Sequence, residues 1–187
     1  MKLYIKNMVC TRCKMVVKAE LEKLGFNPVS IHLGEAELQQ ESLTTVQLAD
    51  IGQALAKFGF ELLADKKKQL VEQVKTAIIE QVHYATEPLK VNFSDYLSQK
   101  LDVEYATLSA VFSEMEHNTI EKYIIHQKIE KVKELLTYGE NSLSEIAYLL
   151  NYSSVAHLSA QFKKISGQTP SAYKQSQENA RKTLDEI

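Results

Sequence analysis

Hydrophobic periodicity divides the chain into an α+β segment over residues 1–65, an all-α segment over 66–175 and a short tail over 176–187. Three observations carry this reading. Alternating apolar residues switch to helical spacing and back within the first segment. Beyond the charge run Asp65-Lys66-Lys67-Lys68 the pattern is helical throughout. A helix-turn-helix pattern near the end also has a weaker copy upstream, Leu158 and Phe162 matching Leu108 and Phe112.

The first segment reads as follows. Lys2 to Met8 sets Leu3 and Ile5 against Tyr4, Lys6 and Met8, as a strand does. From Cys13 onward Met15, Val16, Ala19, Leu21 and Leu24 recur at helical spacing, and Gly25 stops the run. Val29 to Leu33 alternates again, Gly34-Glu35 turns the chain, and Ala36 to Gln40 follows as a polar edge strand. Val46, Leu48, Ile51, Leu55 and Phe58 mark a second helix that ends at Gly59, and Phe60 to Ala64 is a last strand. This βαββαβ order is the split βαβ, ferredoxin-like arrangement, with two helices over one face of an antiparallel sheet.

Composition narrows the function classes. With 187 residues, 44% hydrophobic and 25% charged, the chain has the make-up of a soluble globular protein. No apolar run approaches the roughly 18 residues that span a bilayer. The opening MKLYIKNMVC lacks a signal-peptide pattern, so a cytoplasmic protein with no membrane partner is expected. A net charge of −2 and a pI near 6.2 provide no global attraction to nucleic acid. Neither a paired acid and base nor a phosphate loop points to an enzyme.

Both cysteines lie in NMVCTRC, as Cys10 and Cys13. The reading places them on the loop after the first strand and on the opening turn of the first helix, where free N–H groups favour the thiolate. Two soft thiolates with no further ligand suit Cu(I), or another soft ion, better than Zn(II), which generally takes four ligands. No second CxxC or paired histidine completes a zinc site, and His32 reads as an ordinary strand residue. Disulfide exchange and an adventitious pair are the alternatives. Pro28, Pro88 and Pro170 fit poorly with the proline that thioredoxin-like chemistry places opposite its pair.

Met8-x-Cys10-x-x-Cys13, set after the first strand of such a unit, resembles the heavy-metal-associated domain of copper chaperones and copper-transporting ATPases. The resemblance covers the first third of the chain. It implies Cys10 and Cys13 as metal ligands, Met8 as a buried loop anchor and Phe60 as the aromatic that packs close to the site. Asn7 stands where that family usually has Gly.

In the second segment, Val71, Val74, Ile78 and Val82 mark an amphipathic helix that ends before Thr86-Glu87-Pro88. Asn92 with Asp95, Asn118 with Glu121 and Ser142 with Glu145 each read as a helix cap followed by an acidic residue. The stretch SLSEIAYLLNYSSVAHLSAQFKKISGQTPSAY, Ser142 to Tyr173, reads as helix, tight turn, helix. Ile146 and Ala147 lie inward, Asn151 takes the left-handed turn position, and Ser153 or Ser154 caps the second helix. Leu158 and Phe162 face back, Gly167 stops the helix, and Thr169-Pro170 starts a tail helix containing Tyr173. The copy runs from Phe93 to Ile124, and Ile124 to Leu136 joins the two units as one helix. His83, His117 and His126 are scattered and read as solvated.

Two such units joined by a helix resemble the AraC/XylS-type DNA-binding domain, over roughly Leu70 to Lys174. The resemblance implies that each second helix enters a major groove of double-stranded promoter DNA, the two sites about one turn apart. It implies Ala106, Ser109 and Ala110 as groove-facing in the first unit, and Val155, Ala156, Ser159 and Ala160 in the second. Ser154 and His157, with Gln161, fall at the edge, and Lys163 and Lys164 fall where phosphates are met. The family often has Arg or another long donor at the positions of Ala110 and Ala160, and Glu104, Glu114 and Glu116 make the first unit acidic.

The expected function is a bacterial, cytoplasmic, Cu(I)-responsive transcription regulator. Its metal acts through the helix from Leu70 to Val82, or by joining two chains into a homodimer. The alternatives are a metal chaperone or buffer whose helical domain binds a protein, and a CxxC thiol oxidoreductase.

Overall fold

Leu3 and Ile5 alternate with Lys2, Tyr4 and Lys6, which puts both apolar side chains on the buried face of β1 (Lys2–Lys6). In the computed structural model, which describes residues 1–176 and Leu184, the chain forms two compact units, Met1–Thr76 and Ala77–Ile187. Apart from Ser176 and Leu184, the expected tail lies outside the described residues.

In the first unit β1 is followed by α1 (Thr11–Lys23), β2 (Pro28–His32), β3 (Glu35–Leu38), α2 (Thr45–Ala56) and β4 (Glu61–Leu63). The sheet order is β2-β3-β1-β4, with every neighbouring pair antiparallel. The expected polar edge strand is in fact internal. β3 pairs with β2 through the hairpin at Gly34 and with β1 in the register Leu3↔Ala36, so Ala36 and Leu38 are buried. Its carboxylates lie on the other face, where Lys2 pairs with Glu35 at 3.1 Å and Ser30 donates to Glu37 at 3.3 Å. The edges are β2 and β4.

The helical faces also differ in detail. Val17 and Leu21 of α1, with Ile51 and Leu55 of α2, are fully buried against the sheet. Met15, Leu24, Val46 and Phe58, read as inward from spacing, are 67%, 40%, 69% and 50% exposed. Short helices over a small sheet bury a narrower stripe than the apolar spacing suggests.

The charge run opens α3 (Lys66–Ile79), where Asp65 accepts the Lys68 N–H at 2.9 Å. The division between units falls after Thr76, inside this helix, whereas the charge run had marked it at residue 65. The reason is packing within the first unit: Glu72 accepts the Asn7 N–H at 3.1 Å, and Thr76 lies against Gly34. A Cβ at Gly34 would stand 2.7 Å from the Thr76 hydroxyl, and its φ of +75° also favours glycine.

In the second unit α3 ends in a π-helical turn, Glu80–Tyr84. Then come α4 (Phe93–Leu101), α5 (Tyr105–Glu116), α6 (Ile120–Tyr138), α7 (Leu143–Leu149), α8 (Val155–Ser166) and α9 (Pro170–Gln175). The internal repeat is visible in backbone and core alike. Asp102 and Asn151 both take left-handed backbone (φ 54° each) before the second helix of each unit. His117 and Gly167 do so after it. Thr119 and Thr169 cap the following helices, and Phe112–Tyr123 and Phe162–Tyr173 pair their rings at 5.7 and 5.6 Å.

Two expectations here are corrected. Thr119, not Asn118, caps α6: its hydroxyl accepts the Lys122 N–H, while Asn118 accepts the Thr119 N–H. His83 is buried rather than solvated, its Nε2 2.8 Å from Gln127 Oε1. The π turn carries it inward, a change of period that spacing alone does not reveal. Among the described residues no helix is long and apolar enough to cross a membrane.

Candidate functional site

The cysteine loop is built from both of its ends. Asn7 leaves β1 with φ 71°, a left-handed conformation that Asn tolerates where glycine would otherwise be needed. Its Nδ2 donates to the Gly59 carbonyl at 2.9 Å and its N–H to Glu72. Met8, 1% exposed, and Phe60 belong to the same core cluster, so the loop is anchored on the sheet and helices beneath it. Cys10 is the N-cap residue of α1 in extended conformation, and Cys13 lies in its first turn. The i, i+3 spacing sets the two sulfurs 3.3 Å apart, both half-buried, with the Cys13 thiol directed at the Asn7 carbonyl at 3.9 Å.

The two thiols are electrostatically unequal. Burial raises the Cys10 pKa, but hydrogen bonds from the Cys13 backbone and thiol and the Arg12 backbone, with the Arg12 charge, outweigh it and leave it below the usual thiol value. Cys13 is pushed up by burial and by its contact with Cys10. Cys10 is therefore the first of the pair to become the thiolate, and Cys13 can donate to it. Among the described residues no cluster of three or more His, Cys, Asp and Glu side chains could hold a metal. Cys10 and Cys13 are the two thiol donors at this loop. Sequence reasoning missed Glu72, because helical periodicity reports the apolar face of α3 and is silent on a carboxylate beside it.

The helix-turn-helix surfaces are set by the same apolar anchors. In α5, Leu108 and Phe112 are buried, which leaves Ala106 and Ala110 exposed and Ser109 half-buried on the opposite side. In α8, Leu158 and Phe162 are buried, Ala156, His157, Ala160, Lys163 and Lys164 are exposed, and Val155 and Ser159 are half-buried. Ser154 caps α8 by accepting the His157 N–H at 3.1 Å. His157 is held by its neighbours: Nδ1 lies 3.0 Å from the Ser153 hydroxyl, and its ring meets Tyr152 edge-on at 5.3 Å. Gln161 is engaged inward, accepting from the Tyr152 hydroxyl at 2.7 Å, so its carbonyl is committed before any ligand arrives. On the first unit the Tyr105 hydroxyl is hydrogen-bonded to Glu121, which ties α5 to α6.

Residues 97–176 match the model of a helix-turn-helix domain family. The chain is 25% identical over 138 residues to "Probable transcriptional regulator LumQ" of Photobacterium leiognathi, covering 73% of this chain and 54% of that relative. It thus spans about half the length of the curated relative that it matches. Among solved structures, the C-terminal domain of AraT, a response regulator from Geobacillus stearothermophilus, superposes with a TM-score of 0.50 at 23% identity, over 59% of this chain and 87% of that one. The C-terminal domain of the response regulator yesN from Fusobacterium nucleatum gives 0.48 at 27% identity, over 59% and 100%. Residues 97–176 therefore form a helix-turn-helix domain.

Proposed function

We propose that this chain is a cytoplasmic, metal-responsive transcription regulator that reads double-stranded DNA with α5 and α8 and senses Cu(I) with Cys10 and Cys13. The observation that carries the proposal is the pairing, in one chain, of a duplicated helix-turn-helix domain with two facing thiols 3.3 Å apart. The regulatory role is supported by the likeness to LumQ, a relative named as a transcriptional regulator. The heavy-metal-associated, ferredoxin-like reading of the first unit is supported by its strand order and by the burial of Met8 and Phe60 beneath the loop.

The donor set fits a soft monovalent ion. Cu(I) accepts two thiolate ligands, whereas Zn(II) finds too few here unless a second chain supplies them. Cys10 and Cys13 would hold the ion as thiolates, each losing its proton to solvent, and the ion would supply a soft cationic centre there. The rest is the work of the chain: Asn7 holds the loop in its left-handed turn, and Glu72 holds the Asn7 N–H from α3. A change in the loop therefore reaches α3 first. A homodimer formed through a shared ion is the second route by which metal could act.

The reading with a protein partner rests on the acidic character of α5, where Glu104 and Glu114 are exposed. Electrostatics separates the two readings. Lys163→Ala with Lys164→Ala should weaken binding to all duplexes alike and reduce the salt slope of log K by up to about two, since each lysine releases about one counterion. Fluorescence anisotropy at several salt concentrations measures this. An unchanged slope in the double variant would remove both lysines from the interface, and no duplex binding by the parent protein would favour the carrier reading.

A further inference from the structure

The second unit contains a cation on α6, outside the proposed reading helices α5 and α8. Lys128, on α6, places its Nζ 5.5 Å from the Phe93 ring centroid and 5.3 Å from that of Tyr152. Its pKa is lowered by burial, and among the described residues no carboxylate pairs with it. The pocket at this point is lined by Lys128 together with Val82, Leu89, Phe93 and Leu150. Both ring faces thus lie within cation–π reach of the charge, an arrangement whose strength grows as water is removed.

The identity of the rings gives the contact its meaning. Phe93 is the first residue of α4, the opening helix of the first helix-turn-helix. Tyr152 lies in the turn of the second, and it fixes α8 through its hydroxyl bond to Gln161 and its edge contact with His157. A second bond closes the same joint: Asn151 Nδ2, at that turn, donates to the Leu89 carbonyl at 2.6 Å, just ahead of α4. Asn151 is left-handed here, so one residue serves both turn and joint.

The geometry points to Lys128 as a positioning residue that sets the spacing of the two DNA half-sites, by clasping Phe93 of one helix-turn-helix and Tyr152 of the other. The inference rests on the DNA-binding reading above. The effect of Lys128 is to make the mutual orientation of α5 and α8 a single value, and with it the distance between the grooves they can enter together.

The test uses the full chain and a library of random-sequence duplexes. The wild-type protein enriches a duplex, and derivatives with one or two base pairs inserted between its protected half-sites are then compared. For the wild type, insertion should lower affinity by at least about tenfold, as a misplaced half-site loses its contacts. Lys128→Met should bring that ratio to within about threefold, Phe93→Leu should move it the same way, and Lys128→Arg, which keeps the cation, should restore it. A residue that merely supported the fold would lower affinity for every spacing equally. An unchanged spacing ratio in Lys128→Met, with helicity intact, overturns the inference and leaves the DNA-binding reading standing. A wild-type protein that enriches no duplex contradicts both.

Discussion

Replacing Cys10 and Cys13 together by Ser should lower Cu(I) affinity by well over about 100-fold, because losing a partner behind a ligand already costs about 10–100-fold and here the ligands themselves go. The half-buried sulfurs face each other at 3.3 Å, and among the described residues no His, Cys, Asp or Glu joins them in a metal-holding cluster. Serine hydroxyls are hard donors and stay protonated at neutral pH, so they cannot stand in for thiolates at a soft ion. Titration of reduced protein against a competing Cu(I) chelator reads the difference. Wild-type affinity in the double variant would remove the metal from this loop. Zn(II) should bind the wild type far more weakly, or only at a stoichiometry of one ion per two chains.

Phe162→Ala should destabilise the second unit by about 3–5 kcal/mol, a large share of the roughly 5–15 kcal/mol that holds a domain together. Phe162 is fully buried, stacks edge-on against Tyr173 at 5.6 Å, and lies on α8 one turn beyond Leu158, also fully buried. Truncation leaves a ring-sized cavity beside Tyr173 of α9. Urea denaturation followed by circular dichroism measures the loss. A cost below about 1 kcal/mol would mean that the unit relaxes into the hole and that the aromatic pair is not its keystone. Phe112→Ala should behave in parallel, because Phe112 meets Tyr123 at 5.7 Å in the equivalent place.

These two sites were legible in the sequence for different reasons. The cysteine pair was readable as a spacing, and the strand before it as an alternation. The repeat was readable because Leu108, Phe112 and Tyr123 recur as Leu158, Phe162 and Tyr173, and each element of that pattern is local. The left-handed turn at Asn151 likewise followed from a residue type that tolerates it. What spacing could not show is what depends on contacts between distant segments. The place of β3 inside the sheet needed the pairing Leu3↔Ala36, which no local pattern encodes. The attachment of α3 to the cysteine loop rests on Glu72 meeting a backbone N–H sixty-five residues away. Lys128 stands on a helix of mixed composition, and only the distant rings of Phe93 and Tyr152 give it a role. His83 was misjudged because the π turn shifts the face of the helix just where it stands.

In the proposed regulator the thiol pair governs DNA binding. Coupling between two ligands is reciprocal, so a duplex that favours the metal-bound state must also tighten metal binding, typically by about 5–150-fold. The direct measurement is the affinity for one enriched duplex, at one salt concentration, of the apo protein, the Cu(I)-loaded protein and the Cys10→Ser, Cys13→Ser variant with and without Cu(I). Cu(I) should shift the wild-type affinity by about fivefold or more and leave the variant unmoved. Equal affinities for apo and Cu(I)-loaded wild type would contradict it.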